Sequence, residues 1–388
     1  MKVLHVDFTG PFSEDMGYQM NWLTRQNVND GHSVFIAATD EYFKNGQVIS
    51  LKLRNKESQV NSDGVLITRF PYSSLINSYV SSKIRRVKDF LKYIEGIAPD
   101  VILFHGCTGY ELLTAAKYKK AHPQVKLYAD SHEDFSNSAR NFLSKNILHR
   151  LFYKPIALRA LPWIDRVFYI TEETKHFMQF FYKIPEDKLE FYPLGGTVFP
   201  PEKRASLRNV KRSELGVGDD DILLCHSGKL DALKRTKNLL AALSRVSSER
   251  LKLIIIGNIP NEMKPILEPM IAADKRVTFL GWKSGDELVE YLCACDMYVQ
   301  PGAQSATMQN ALCCGAPVML YPRLSHIALR ENYGMRGNAY FVESAVDIEK
   351  AFREILENPE TLRSMSRSSL RFAEEKLDYR RLAARLYE

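Results

Sequence analysis

Apolar residues gather along this chain in short runs. The first six are VLHVDF (3–8), SVFIAA (33–38), VLITRF (65–70), VILF (101–104), KLYA (126–129) and RVFYI (166–170). Six more follow: ILLC (222–225), LKLIIIG (251–257), RVTFLG (276–281), DMYVQ (296–300), PVMLY (317–321) and AYFV (339–342). Runs of this length and composition predict strands, and helix-length segments separate most of them. Alternation of this kind predicts parallel sheets covered on both faces. The two series are divided by YPLGGTVFPPEKR (192–204), where Gly195, Gly196, Pro200 and Pro201 interrupt every period.

The chain therefore reads as two doubly wound, Rossmann-like α/β domains. The first covers 1–196 and the second 197–372, and a C-terminal helix at about 373–388 is expected to pack back onto the first. From about 359 onward, Leu362, Met365, Leu370, Phe372, Leu377, Leu382 and Leu386 supply the apolar positions of a packing helix pair. Sheets of this type bind ligands beyond the carboxyl ends of their strands, so a cleft is expected where the two domains face one another.

A length of 388 residues fits two large domains, and 45% apolar with 26% charged residues is ordinary globular composition. No apolar stretch reaches the length of a spanning helix, and the start MKVLHVDFTG reads as a strand, so the chain is expected in the cytoplasm. The six cysteines lie within apolar segments, without the spacing of a disulfide scaffold or a zinc knuckle, and no metal site is expected. A net charge of +7 permits an anionic ligand or an anionic membrane surface. No nucleic-acid-binding motif accompanies it, and nucleic acid is set aside as a partner.

Chemistry concentrates in two segments of the second domain. In HSGKLDALKRTKNLL (226–240), Gly228, Lys229 and Lys234 follow a strand and precede a helix, a setting in which two ammonium groups suit a diphosphate. Solvated lysines on a turn are the plainer alternative. In QPGAQSATMQNALCCGAPVML (300–320), a strand runs through Gly302 and Gln304 to Ser305, Ala306 and Thr307, which open a helix. Its first-turn N–H groups would offer an anion site, and Asn310 could hydrogen-bond sugar hydroxyls. Asp219, Asp220 and Asp221 precede a strand, the wrong end of the sheet for a metal-binding carboxylate pair, and read as a solvated turn.

These stretches, with VTFLGWKSGDELVEYLCACDMYVQPG (277–302), NALCCGAPV (310–318), APDVILFHG (98–106) and YKIPEDKLEFYPLGG (182–196), resemble the GT-B glycosyltransferases, in particular the retaining family 4 (group 1) enzymes. The resemblance covers most of the chain. It implies a nucleotide sugar, UDP- or GDP-linked, as substrate, with no cofactor and no metal. It also implies transfer to a surface glycan or lipid-linked acceptor with retention of configuration. It places Lys229 and Lys234 on the donor diphosphate and Gly17 in a glycine loop near the phosphates. It implies that His132, in ADSHED, faces the donor sugar, a loop histidine that helps structure a turn being the plainer alternative, and that His105 and Glu133 lie on the acceptor side.

One departure stands out: the two glutamates that the family carries eight positions apart fall on Gly302 and Asn310. The segment after Pro301 is also about three residues short. A non-catalytic nucleotide-sugar-binding subunit and a nucleotide-sugar epimerase of the same fold thus remain alternatives. Idiosyncratic loops at 40–63 and 133–140 are the expected acceptor contacts. Two basic amphipathic stretches, Lys83 to Ile94 and Arg140 to Arg159, are expected either to pack inward or to rest on anionic lipid, making the protein peripheral at the inner face of a membrane.

Overall fold

A computed structural model of the chain describes every residue except 15, 45–46 and 74–76, and residue 78 without its side chain. The chain forms two compact units, Met1–Pro193 joined by Ala383–Glu388, and Leu194–Leu382.

In the first unit the strands are β1 (Lys2–Asp7), β2 (Ser33–Thr39), β3 (Glu41–Lys44), β4 (Gln47–Ser50), β5 (Glu57–Val60), β6 (Leu66–Phe70), β7 (Val101–Phe104), β8 (Lys126–Ser131), β9 (Arg166–Tyr169) and β10 (Leu189–Phe191). Eight of them make one sheet in the order β10-β9-β8-β7-β1-β2-β6-β5, parallel except for β5 against β6. All four residues of β7 are buried, which a central strand with both faces covered requires. All six strands predicted here are present. The segment 40–63, expected as loop, instead forms a hairpin of β3 and β4 and the edge strand β5; its residues 45–46 lie outside the described ones. The sequence ESQV of β5 is exposed throughout, so it left no apolar run to read.

In the second unit β11 (Ile222–Lys229), β12 (Leu251–Asn258), β13 (Val277–Gly281), β14 (Met297–Gln300), β15 (Val318–Leu320) and β16 (Ala339–Phe341) form an all-parallel sheet in the order β13-β12-β11-β14-β15-β16. This is the Rossmann order, with its topological switch between β11 and β14. Leu224, Leu253, Ile255, Val299 and Met319 fill one face beneath Leu239 and Leu243 of the helix Thr236–Ser244 and Phe352 of the helix Ala345–Glu357.

The basic stretch Lys83 to Ile94 is not one helix. Left-handed residues Arg85 and Asp89 divide it between the helices Ser78–Ile84 and Phe90–Ile97. Arg85 turns inward, donating to the Thr108 hydroxyl and to the Thr9 carbonyl (3.3 Å) and lying over the Tyr153 ring, so it belongs to no cationic outer face.

Candidate functional site

The switch point of the second unit brings together most of the expected donor residues. Gly228 (φ +127°) and Gly257 (φ +140°) end the paired strands β11 and β12, and a Cβ at Gly257 would fall 1.9 Å from the Gly228 carbonyl oxygen. Only glycine fits there. Lys229 follows, exposed, and a 3₁₀ turn, Ala232–Lys234, is capped by Asp231, whose carboxylate accepts from Leu233 N at 3.1 Å.

Lys234 is buried, and its Nζ donates to the carbonyls of Ala303 (3.1 Å) and Gln304 (3.2 Å). Burial lowers its pKa, with Asp231 opposing and Arg323 adding to the fall. An ammonium has three donors, so two carbonyls leave one N–H for a ligand.

The loop that Lys234 grips is tight. A Cβ at Gly302 would stand 2.1 Å from the Leu233 carbonyl oxygen and 2.8 Å from that of Lys234. Ala303 N donates to the same Leu233 oxygen at 2.8 Å. Position 302 therefore has no room for any side chain, and the carboxylate that the resemblance led one to expect there is excluded sterically.

The helix that follows spans Thr307–Cys313, and its first amides are not free as the sequence suggested. Thr307 N meets Ser305 Oγ (3.4 Å), Met308 N meets the Ser305 carbonyl (3.3 Å), and Gln309 N meets the Ala306 carbonyl (3.0 Å). Ser305 Oγ also donates to Thr307 Oγ1 (3.1 Å), and Gln304 Oε1 accepts from Ser325 (3.1 Å). Asn310 is half-buried against Gly196, where an added Cβ would lie 2.7 Å from its Oδ1. Its neighbour Gln309 accepts from Gly195 N at 2.7 Å, so this helix clamps the Gly195-Gly196 segment.

Beside the site stands His226, which the sequence did not single out. Its Nδ1 donates to the Val299 carbonyl (2.7 Å), leaving Nε2 to accept from the hydroxyl of Thr236 (2.9 Å), the first residue of the next helix. Burial pushes its pKa down to about 4, opposed by the Val299 bond and assisted by the Lys234 charge, so the ring is neutral.

In the first unit the site residues cluster at the carboxyl ends of β1, β7 and β8. His132 lies just beyond β8, half-exposed, its Nε2 at 3.8 Å from Asp130 Oδ2. Asp130 is buried and takes His105 Nδ1 on the same oxygen at 2.6 Å. Glu133 accepts from the Tyr182 hydroxyl at 2.8 Å, and that hydroxyl meets His149 Nδ1 at 2.7 Å. In the 133–140 loop, Asp134 Oδ1 caps Ser136 N (2.7 Å) and Asn137 N (3.1 Å), while Asn137 Nδ2 holds the His132 carbonyl (2.9 Å). Gly17 is exposed ahead of the helix Gln19–Asn29, with the Trp22 indole nitrogen 3.7 Å from an added Cβ. Asp130 and His5 were missed, although Asp130 stands two positions before His132 at a strand end and carried a signal that could have been read. Among the described residues, no cluster of three or more His, Cys, Asp or Glu side chains could hold a metal ion.

Two Rossmann-like units with polar loops at the carboxyl ends of their strands define the GT-B class of fold. Residues 208–371, inside the second unit, match the family model Glycosyl transferases group 1, so that unit carries a group 1 glycosyltransferase domain. A D-inositol 3-phosphate glycosyltransferase from Stackebrandtia nassauensis is 28% identical over 156 residues, 36% of this chain and 34% of that protein; the match thus spans about a third of that relative's length. Sucrose-phosphate synthase from Thermosynechococcus elongatus superposes with a TM-score of 0.67 at 14% identity, over 100% of this chain and 97% of that one. HepE of Anabaena, solved in complex with UDP-glucose, does so with a TM-score of 0.63 at 15% identity, over 100% of this chain and 98% of that one. At such identities the likeness establishes the fold.

Proposed function

We propose that this protein transfers a glycosyl group from a UDP- or GDP-linked sugar to a hydroxyl of a surface glycan or lipid-linked acceptor, with retention of configuration and without a metal ion. The observation that carries the reading is the Lys234 ammonium, buried at the β11/β14 switch with one N–H uncommitted and exposed Lys229 close by in sequence. Departure of the nucleoside diphosphate builds negative charge, and cations fixed before the reaction stabilise it without reorganising. The group 1 domain and the UDP-glucose complex of HepE support a nucleotide sugar as the donor. In the first unit, His132 is the residue assigned to the sugar-facing role, with His105 and Glu133 behind it. A non-catalytic nucleotide-sugar-binding subunit is the second reading, and the packing at Gly302, which excludes a carboxylate, favours it.

A membrane-facing acceptor has its own support. The continuous helix Leu143–Ala160 begins as a π-helix, whose wide turn brings residues four apart onto one face. Phe142, Leu143, Ile147 and Leu151 are 75, 65, 51 and 71% exposed. Residues 135–164 hold Arg140, Lys145, Arg150, Lys154 and Arg159 and no acidic residue. Apolar side chains flanked by unopposed cations suit an anionic lipid surface and peripheral attachment. Among the described residues no helix is long and apolar enough to cross a membrane.

Incubation with a panel of UDP- and GDP-sugars in the presence of a chelator tests the proposal. Nucleoside diphosphate release is expected for one donor, and the anomer of the product reports retention. Lys229→Ala should weaken that donor roughly 10- to 100-fold, the loss of one charge-assisted contact, with an unchanged melting temperature. Lys234→Ala should cost both affinity and stability, because it also frees the 303–304 carbonyls. Donor binding without turnover would leave the binding-subunit reading, and neither binding nor turnover would remove both.

A further inference from the structure

Buried polar groups of the first unit form one continuous chain. Asp130 Oδ2 meets His105 Nδ1 at 2.6 Å, His105 Nε2 meets His5 Nδ1 at 3.1 Å, and His5 Nε2 meets Asn27 Oδ1 at 2.8 Å. Asn27 Nδ2 donates to the Tyr387 hydroxyl, which reaches Asp30 Oδ2 at 3.4 Å. His5, Asn27, His105 and Asp130 are all buried, so each donor needs an acceptor.

The proton positions follow by elimination. The Asn27 oxygen can only accept, so His5 carries a proton on Nε2; fully buried and without a carboxylate partner, His5 stays neutral and accepts on Nδ1. His105 must then donate from Nε2, and its Nδ1, facing a carboxylate, must donate as well. His105 is therefore an imidazolium between a neutral histidine and Asp130. The titration directions agree. Burial, then the charge of His105, pushes His5 down to about 3. Burial opposes charge on His105, but the charge and hydrogen bond of Asp130 outweigh it and raise its pKa. For Asp130, burial is likewise outweighed, by His105 first and then His132, and the carboxyl is held well below its usual range.

Asp130 Oδ1 is engaged by Gly106 N at 2.9 Å, which leaves Oδ2, bonded to His105, facing the Nε2 of His132 at 3.8 Å, an ionic approach longer than a hydrogen bond. We propose that Asp130 is a positioning residue for His132, its charge at 3.8 Å favouring the Nε2–H tautomer so that Nδ1 is left as the acceptor nitrogen for a ligand hydroxyl, while the His105 imidazolium keeps Asp130 ionised. A histidine whose proton is fixed on one nitrogen presents a lone pair on the other, and the wrong tautomer presents a proton where a hydroxyl must donate. The identity of that hydroxyl, on an acceptor or donor sugar, rests on the glycosyltransferase reading; the tautomer does not.

Long-range proton–nitrogen correlation spectra of the full-length protein, labelled with ¹⁵N in its histidine rings and recorded where His132 is neutral, test this directly. The expected result is the Nε2–H form of His132 in excess, and loss of that excess in Asp130→Asn. In turnover, Asp130→Asn should lower kcat with KM for the nucleotide sugar nearly unchanged. An Nδ1–H form of His132 in the unaltered protein overturns the proposal, and that spectrum decides even if Asp130→Asn fails to fold. A tautomer ratio indifferent to Asp130→Asn in a folded variant overturns it too. The Nε2–H form in a protein that turns over no nucleotide sugar would uphold the positioning role and sink the transferase reading instead.

Discussion

At Gly302 packing leaves no room for a side chain. Its backbone lies against the turn at Leu233 and Lys234, where a Cβ would stand 2.1 Å from the Leu233 carbonyl oxygen, so no carboxylate side chain fits at this position. Residue identities alone showed the glycine; the packing needed coordinates, because the carbonyl of Leu233, distant in sequence, fills the space. Arg85 teaches the same lesson: part of a basic run in the sequence, it is a half-buried, inward-turned guanidinium in the fold, since a left-handed backbone at φ 57° turns it from the surface.

His226 makes a prediction at this scale. Its folded-state pKa, about 4, lies below the ordinary 6.5, so above 6.5 neither state is protonated and its contribution is fully present. As pH falls from 6.5 towards 4, the unfolded chain takes up a proton that the folded ring refuses, and stability is lost. The loss reaches roughly 3 kcal/mol by pH 4. Urea midpoints measured across this range should fall for the second unit, and His226→Asn should flatten the slope. An equal slope in the variant would assign the effect elsewhere.

Among the elements, apolar runs gave away every strand that is buried on both faces, because such strands have no polar side to disguise them. Strands β3, β4 and β5 were hidden for the opposite reason: β5 is polar and exposed throughout, and the short β3 and β4 bury no residue fully and interleave apolar with polar positions. The helix from Leu143 shows the limit of periodicity: a π-helical segment does not follow the 3.6-residue repeat by which inward and outward faces are told apart. Its stripe of Leu143, Ile147 and Leu151 should bind vesicles containing anionic phospholipid and not neutral ones. Replacing all three by Ser should abolish sedimentation with the vesicles while sparing the fold, since none of them is buried. Binding by the triple variant at full strength would place the contact elsewhere, and no binding by the unaltered protein would dismiss it.

For the whole molecule, the chain divides between Pro193 and Leu194, and of the C-terminal segment only residues 383–388 group with the first unit, through side-chain detail. Arg385 bonds Glu190 (2.5 Å) and the Phe191 carbonyl (2.7 Å), and Lys126 Nζ bonds the Tyr387 carbonyl (2.7 Å). Leu386 is fully buried, and the Tyr387 ring packs edge-on to His32 at 4.2 Å. Deleting residues 383–388 should therefore speed hydrogen exchange at β1, β8 and β10 and leave β11 and β12 unchanged. Equal exchange in both units, or no change, would show the tail to be dispensable.

The same tail makes the two units unlike in how their chains close. Residues 194–382 are contiguous, so the second unit can assemble within a single stretch of chain. The first unit is discontinuous: Asn27, Lys126 and Glu190 take partners from residues 385–387, which lie beyond the whole of the second unit in sequence. Closing it means closing a loop that contains an entire other unit, an entropic cost that shrinks once that unit has folded and shortened the loop.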